Sequence, residues 1–271
     1  MALVLAVTII GASAAVSPAR SPRHERAHGA RIHAWNPDTS SAINYALSRR
    51  GIIAFAVRTA HHYWGWYDTR IYPSASVLKP MLMVAYLRRS DVRDRDLTGD
   101  EQNTLEPMIR WSDNNAANKM FNIVGPSGLD QLAFDAHMKH FSPSSPVWGN
   151  SQIDAEDQTE FFLDIDKLIP PRHRGYAMHL LETIVPWQRW GIGQVAPPRW
   201  KLYFKGGWGS GTGHVDHQVA LLTHSRHRLS VAVMTLDDGS HSYGQETLAG
   251  MFARLLGGLP AYGPMALGSR Y

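Results

Sequence analysis

The hydrophobic pattern of the chain predicts strands near both of its ends and helices between them. β-type apolar runs occupy 52–57 and 63–67 early in the sequence, and 202–207, 215–224 and 229–236 late in it. Elsewhere the apolar residues recur at helical spacing. The predicted helices are the segment from Thr39 or Ser40 to Gly51 and the segments 77–88, 101–110, 114–124, 127–138, 157–168, 175–184 and 242–256.

This order of elements indicates an α+β fold. We expect an antiparallel sheet formed by both chain ends and flanked by helices, with an all-helical subdomain inserted between the early and late strands. The chain has 271 residues, of which 44% are hydrophobic and 18% charged, so it is long and apolar enough for a full core. We place the folded domain at residues 39–260 and a C-terminal tail at 261–271.

The first 16 residues indicate export. Residues 2–16 are largely apolar, and small residues follow the apolar core where a signal peptidase could cut. The run is short for a bilayer span and no positive charge precedes it, so an uncleaved anchor and a buried N-terminal helix are alternatives. Residues 17–38 lack apolar periodicity, which predicts a linker. We expect a secreted or cell-envelope protein that meets a membrane only through such an anchor.

Charge and cysteine content exclude several classes of protein. The formal net charge is +4, and Arg20, Arg23, Arg26 and Arg31 in the linker account for much of it. A nucleic-acid-binding protein would need a basic stripe with interleaved aromatic residues, which the sequence lacks, so we expect no nucleic-acid partner. The chain has no cysteine, which excludes disulfides, thiolate metal sites and cysteine catalysis.

A Ser-x-x-Lys motif at Ser76 and Lys79 is the main candidate for chemistry. A serine three residues before a lysine puts the hydroxyl and the amine on one helix face. An adjacent base can activate such a weak nucleophile, and burial lowers the pKa of a lysine toward that role. The motif occurs once in a chain with six lysines. Taken alone it is weak, and an ordinary helix cap at Ser76 is the alternative.

Two further motifs follow in order, Ser-Asp-Asn at 112–114 and Lys-Gly-Gly at 205–207. Ser-x-x-Lys, Ser-Asp-Asn and Lys-Thr-Gly form the motif set of class A β-lactamases and penicillin-binding proteins. Over roughly residues 40–259 the chain therefore resembles the class A β-lactamase-like serine hydrolases. The resemblance implies their fold in outline and a small-molecule or peptide substrate.

Three catalytic residues are implied by the resemblance. Ser76 is the nucleophile, Lys79 is its general base or proton relay, and Ser112 passes a proton to the leaving group. A backbone N–H at the helix start that carries Ser76 is free to bind an oxyanion.

Four substrate-binding residues are implied in the same way. Asn114 would hydrogen-bond an amide carbonyl of the substrate, and Lys205 would attract a substrate carboxylate. Gly207 would let the substrate backbone approach the edge strand. The N–H of Trp208 would be the second oxyanion donor.

The sequence departs from the family pattern in two places. Gly206 replaces the threonine of the third motif and removes one hydrogen bond to a substrate carboxylate; Thr212 or Ser210 are candidates to restore it. Class A β-lactamases use a glutamate, on a loop after the second motif, to activate the water that removes the acyl group. Residues 138–150 contain no carboxylate, so we expect slow deacylation of a β-lactam, with His140 as a candidate substitute base.

Metal and cofactor signatures are weak in this sequence. His214, His217, His224 and His227 lack the helical His-Glu-x-x-His spacing of a zinc site. The glycine-rich stretch at 209–213 lacks the following helix that a phosphate-binding loop needs. We expect no metal and no cofactor, and we expect the tryptophans to lie in the core and the cleft walls.

Together these features predict an exported serine hydrolase or acyl-transferase. It would form an acyl-enzyme on Ser76 with a β-lactam, a cell-wall peptide or a small ester, and would turn β-lactams over weakly. The alternative is a catalytically impaired binding module that retains the penicillin-binding type of pocket, which Gly206 and the missing loop carboxylate favour. We expect the protein to be a monomer.

Overall fold

The sheet joins the two ends of the folded chain. A computed structural model describes residues 35–209, 211 and 213–260. The main strands are β1 (Ile52–Thr59), β2 (Tyr63–Trp66), β5 (Lys201–Gly209), β6 (Val215–His224) and β7 (His227–Leu236). They form one antiparallel sheet in the order β2-β1-β7-β6-β5. The prediction of an α+β fold, with a sheet built from both chain ends, is confirmed.

Helices fill the sequence between β2 and β5 and flank the sheet. Two short strands, β3 (Tyr72–Pro73) and β4 (Gln152–Ile153), pair with each other inside this helical region. The helices are α1 (Thr39–Leu47), α2 (Lys79–Leu87), α3 (Gly99–Arg110), α4 (Asn114–Asp135), α5 (Ala155–Leu163), α6 (Ile165–Leu168), α7 (Pro171–Glu182), α8 (Ile192–Val195) and α9 (His241–Leu255).

Some helix boundaries differ from the prediction for local reasons. The predicted helix over 157–168 is two helices, because Asp164 leaves the helical region at φ −116° and ψ 15°. The two predicted helices over 114–138 run together as α4, with a kink at Gly125, where φ is +66°. Helix α7 begins four residues before the predicted start, because Pro171 suits the first helical position.

Helix α2 is a buried helix that begins at the candidate site residue Lys79. All nine of its residues, Lys79–Leu87, are buried, as expected for a helix that is apolar on every side. It packs against α4, and Lys79 is the charged residue at its start. A lysine in this position is taken out of water by the core around it.

The predicted terminal segments lie outside the described residues. They are the signal peptide or anchor at 1–16, the linker up to residue 34 and the tail at 261–271. The last linker residue, Asp38, caps α1 by accepting a hydrogen bond from the N–H of Ser41 at 2.9 Å. Within the described ranges, every helix is too short or too polar to cross a membrane.

Candidate active site

Ser76 lies on a 3₁₀ helix rather than on the predicted α-helix, and Lys79 follows one turn later as the first residue of α2. This 3₁₀ helix spans Ala75–Leu78, and the N–H of Lys79 donates to the carbonyl of Ser76. With three residues per turn, side chains at i and i+3 eclipse each other, so the hydroxyl and the amine share a face. Ala75 has φ +42°, a strained value that turns the chain sharply just before Ser76.

Ser112 connects the lysines of the first and third motifs. Its Oγ lies 3.0 Å from Lys79 Nζ and 3.0 Å from Lys205 Nζ. Lys79 Nζ also donates to Asn114 Oδ1 at 2.9 Å and to the carbonyl of Ser112. The structure therefore brings together residues of all three motifs. Among the described hydrogen bonds, none joins Lys79 to the Ser76 hydroxyl, an interaction that often tightens only when substrate binds.

The turn between α3 and α4 holds Ser112 in place. Asp113 caps α4 by accepting a hydrogen bond from the N–H of Ala116 at 2.7 Å, and its own N–H donates to the carbonyl of Pro107 at 3.0 Å. Ser112 has φ +60°, which is costly for a residue other than glycine. Asp113 thus holds the loop and caps the next helix, as expected, and the strained turn aims Ser112 at the two lysines.

Burial weakens both lysines as cations. Lys79 and Lys205 are each 0% exposed. Burial lowers the pKa of Lys79 from 10.5 to about 7, against the opposing pull of the Asp113 charge. Burial, and then the charge of Lys79, hold the pKa of Lys205 well below its usual value. The pair therefore carries fewer than two charges near neutrality, which leaves a neutral amine available as a base.

Strand β5 is the free edge of the sheet, and its glycines meet the Ser76 turn. A Cβ on Gly207 would lie 2.8 Å from the backbone nitrogens of Ser76 and Val77, so the strand backbone touches the helix start there. A Cβ on Gly206 would lie 2.9 Å from the ring of Trp190. The indole occupies the space of the hydroxyl side chain that the family pattern has at position 206.

Trp208 continues the edge strand beyond the glycines. Consecutive Cα atoms are about 3.8 Å apart, which keeps the Trp208 backbone beside the Ser76 turn. Its indole stacks on His241 with ring centroids 5.2 Å apart and meets Trp190 edge-on at 5.8 Å. Of the proposed restoring hydroxyls, Ser210 and Thr212 both lie outside the described residues.

His217 ties the Ser76 turn to the sheet. This buried imidazole lies opposite Gly207 on β6, and its Nε2 donates to the carbonyl of Pro73 at 3.0 Å. Its Nδ1 accepts from the N–H of Thr235 at 3.1 Å, so the ring is neutral, and burial lowers its pKa to about 4. Both nitrogens are used, which removes His217 from any metal site.

A loop after the second motif covers Lys79 with an indole. The ring centroid of Trp148 lies 5.1 Å from Lys79 Nζ, and Trp148 Nε1 donates to Asn118 Oδ1 at 2.7 Å. Ser74 Oγ donates to the carbonyls of Trp148 and Gly149 at 3.3 Å each, which fastens the loop beside the Ser76 turn. The segment that lacks a carboxylate thus presents an aromatic ring to Lys79.

His140 lies near the start of the same loop and pairs with the carboxylate of Asp154. Its Nδ1 is 2.7 Å from Asp154 Oδ2, and its N–H donates to Asp157 Oδ2 at 2.7 Å. Burial raises the pKa of Asp154 to about 7. These three side chains have potential ligand atoms within 4.8 Å of one another. The acids already accept backbone N–H groups, so the cluster closes the loop, and no contact joins His140 to Ser76 in the described chain.

Sequence reasoning missed two groups that shape the site, Trp148 and His217. Trp148 lies in the segment 138–150, which has no carboxylate. Its large aromatic side chain is the feature that could have indicated a contact with the site. His217 was considered with the other histidines as a metal ligand. Its position opposite a motif glycine on a paired strand would have shown its structural role.

The fold and the site together define a β-lactamase-like serine hydrolase. A sequence model of the beta-lactamase enzyme family matches residues 100–257, more than half of the chain. The chain therefore belongs to the beta-lactamase enzyme family. A search of curated proteins finds no match.

Solved structures of β-lactamases share the fold at low identity. A β-lactamase from Sphaerobacter thermophilus DSM 20745 has a TM-score of 0.70 at 18% identity, covering 82% of this chain and 97% of that chain. An ancestral class A β-lactamase has a TM-score of 0.69 at 16% identity, covering 81% and 98%. One from Xanthomonas campestris pv. campestris str. ATCC 33913 has a TM-score of 0.69 at 14% identity, covering 81% and 97%. At such identities the likeness shows the fold alone.

Proposed function

We propose that the protein is an exported serine hydrolase or acyl-transferase that forms an acyl-enzyme on Ser76. Its substrate is an amide or ester such as a β-lactam, a cell-wall peptide or a small ester. One observation carries the proposal. Ser112 bridges two buried lysines, Lys79 and Lys205, and Lys79 lies one 3₁₀ turn after Ser76. Export rests on the apolar residues at 2–16 and a secreted or cell-envelope location follows from it.

Acylation follows from the positions of these groups. Neutral Lys79 Nζ takes the proton of the Ser76 hydroxyl while Oγ bonds to the substrate carbonyl carbon. The carbonyl oxygen becomes an oxyanion that accepts from the N–H groups of Ser76 and Trp208. When the carbon–leaving-group bond breaks, the leaving group takes the Ser112 Oγ proton, and Lys79 returns a proton to Ser112. An ester on Ser76 and a protonated leaving group remain.

Substrate binding divides between the two walls of the cleft. Asn114, beside Lys79, is placed to hydrogen-bond a substrate amide. Gly207 keeps the edge strand close to the Ser76 turn, so a substrate backbone can lie along it. Lys205 Nζ donates to Ser112 Oγ and to the carbonyl of Gly206 at 2.8 Å. Lys205 therefore acts first on Ser112, the residue that passes the proton to the leaving group. Any attraction of a substrate anion comes second.

Removal of the acyl group is the slow step in this proposal. A water molecule must be activated by a base, and Trp148 stands over Lys79 where the loop supplies no carboxylate. The indole also limits the entry of water to the acyl ester. A long-lived acyl-enzyme suits transfer to an acceptor other than water, and it predicts weak β-lactam turnover.

Intact-protein mass spectrometry with a penicillin tests the proposal. We expect an adduct of the mass of the drug that persists after the free drug is removed and is absent from Ser76→Ala. Rapid drug hydrolysis without a lasting adduct would contradict slow deacylation. If neither adduct nor hydrolysis is seen with a penicillin or with activated esters, the acyl-enzyme proposal is wrong.

Trp148→Ala is expected to shorten the life of the adduct. Opening the space over Lys79 admits water, but no base is added, so we expect adduct loss about 3- to 10-fold faster, well below the 10²–10⁴-fold of a positioned base. The decay of the acyl-enzyme mass measures this. Trp187→Ala is the matched control, since Trp187 is 69% exposed and therefore lies outside the core. An unchanged lifetime in Trp148→Ala would mean that the indole does not slow deacylation.

A binding module that has lost turnover is the second candidate. The absence, among the described contacts, of a hydrogen bond between Lys79 and the Ser76 hydroxyl favours it. Such a protein would bind penicillin reversibly, with a dissociation constant measurable by calorimetry and with no covalent adduct. The mass spectrum therefore separates the two candidates directly.

A further inference from the structure

A cavity of about 220 Å³ opens at the far end of strand β5. Its lining includes Trp208, Asp216, Asp238 and the two histidines His214 and His241. The cavity is smaller than the roughly 300–1,000 Å³ of a complete ligand site, so it suits one chemical group of a larger molecule. Trp208 directly follows Gly207, which touches the Ser76 turn, and the side chains of neighbouring strand residues point to opposite faces of β5, so such a molecule would pass over the edge of this strand to meet Ser76.

Two buried carboxylates converge on this cavity. Asp216 and Asp238 are 2% and 1% exposed. A Cβ on Gly244 would lie 2.1 Å from Asp216 Oδ2 and 2.6 Å from Asp238 Oδ2, so both acids crowd one point at the start of α9. Asp238 Oδ2 accepts from the Thr235 hydroxyl, whereas Oδ1 has no hydrogen-bond partner in the described chain. A buried acceptor without a partner is rare in folded proteins and points to a missing ligand.

The groups around the acids leave them short of positive charge. His241 Nδ1 lies 2.6 Å from Asp216 Oδ1, and its Nε2 lies 2.8 Å from Gln245 Nε2. This network fits a neutral imidazole that donates through Nδ1 and accepts through Nε2. Among the described residues that line the cavity there is no lysine or arginine. Arg50 packs against Gly239 from outside that lining.

Capping of α9 does not explain the acids. Ser240 already caps this helix, and its Oγ accepts from the N–H of Tyr243 at 3.3 Å. Burial raises the pKa of Asp216 to about 6 and raises that of Asp238, against the opposing pull of His241. Burying the two acids with Asp238 Oδ1 unpaired costs stability, which a bound cation would restore.

The walls of the cavity select the kind of cation. The stacked rings of Trp208 and His241 lie beside the carboxylates, with Trp190 edge-on to both. Aromatic faces next to acids bind organic ammonium groups through cation–π attraction and charge. Among the described residues, the group of three potential metal ligands close enough to share an ion lies elsewhere, at His140, Asp154 and Asp157. We propose that this cavity is a subsite for an alkylammonium group on the substrate of Ser76. The proposal rests on the acyl-enzyme function proposed above.

Choline and its neutral isostere 3,3-dimethyl-1-butanol test the subsite directly. We expect choline to bind the full-length protein about tenfold more tightly than 3,3-dimethyl-1-butanol does. Ligand-observed NMR titration at pH 8 measures both dissociation constants. In Asp238→Asn the two dissociation constants should become equal. Asp237→Asn is the matched control, because Asp237 is the exposed neighbour and does not line the cavity. Its preference for choline should match that of the unmodified protein.

The esters of the same two alcohols separate this proposal from the proposed function. Phenylacetyl choline and the phenylacetyl ester of 3,3-dimethyl-1-butanol are incubated with the protein, and adducts on Ser76 are followed by mass spectrometry. Labelling by either ester supports the acyl-enzyme. Equal binding of the free alcohols, or a preference for choline that survives in Asp238→Asn, overturns the subsite whatever the esters do. A preference lost in Asp238→Asn supports it even if Ser76 is never acylated.

Discussion

Lys79→Gln is expected to lower the rate constant for acylation of Ser76 by about 10²–10⁴-fold, the range that a positioned general base supplies. Glutamine keeps a polar group that can bond Ser112 and Asn114, the partners of Lys79. It cannot take the serine proton, because an amide is not a base near neutrality. The rate of adduct appearance, measured by rapid-quench mass spectrometry, reports this change.

The pH dependence of acylation gives the same prediction a second readout. Burial lowers the pKa of Lys79 to about 7, so the neutral, basic amine is scarce below that pH. Acylation should therefore rise about tenfold per pH unit at acidic pH and level off above about pH 7. In Lys79→Gln this rise should vanish, while folding, followed by circular dichroism, should persist.

Lys167→Gln serves as the control for the base. Lys167 lies on the surface in a pair with Asp164, and its side chain is 63% exposed. We expect it to leave both the acylation rate and its pH profile unchanged. Equal acylation by Lys79→Gln and the unmodified protein would mean that another group, with Lys205 first in line, removes the serine proton.

The elements that could be predicted from sequence are those specified by local pattern. Strand β6 was predicted with its observed bounds, Val215–His224, because apolar residues fill a run of strand length between turns. Ser76 and Lys79 share a face because their spacing fixes it in either kind of helix. The family motifs then placed the remaining parts in order along the chain.

The contacts that could not be predicted join segments far apart in sequence. The Ser112 bridge spans 33 positions to Lys79 and 93 to Lys205, and no local rule gives such distances. The roles of Trp148 and Trp190 depend on which space each indole fills, which only packing decides. The 3₁₀ start at Ala75 was missed because its strained backbone is imposed by neighbours rather than by its own preference.

Packing also changes the meaning of the third motif. Gly206 looked like the loss of a hydroxyl, and the structure shows an indole in its place, so a larger side chain at 206 would collide with Trp190. The edge of the site beyond it is aromatic and acidic rather than basic. A substrate carboxylate would find little attraction at this cavity, so cationic esters and amides should be tested as substrates beside the penicillin.

Gly207→Ala is expected to lower the acylation rate by about 10²-fold, the effect of a displacement of about 1 Å at a reacting centre. The added Cβ would lie 2.8 Å from the nitrogens of Ser76 and Val77 and 3.2 Å from the carbonyl of Ser74. All three are backbone atoms, so no flexible side chain can move aside. Either the edge strand or the Ser76 turn must shift, and both carry proposed oxyanion donors. Stability should fall by about 1–3 kcal/mol, as for other overpacked sites.

Gly175→Ala is the matched control, because a Cβ there would meet nothing within 4 Å and the residue lies inside helix α7. It should leave acylation unchanged and raise stability by roughly 0.5–1 kcal/mol, because alanine suits a helix interior better than glycine. Acylation rates and thermal denaturation of both variants make the comparison. If Gly207→Ala kept the full acylation rate, the contact between β5 and the Ser76 turn would not position the oxyanion donors, and the role proposed for Trp208 would be wrong.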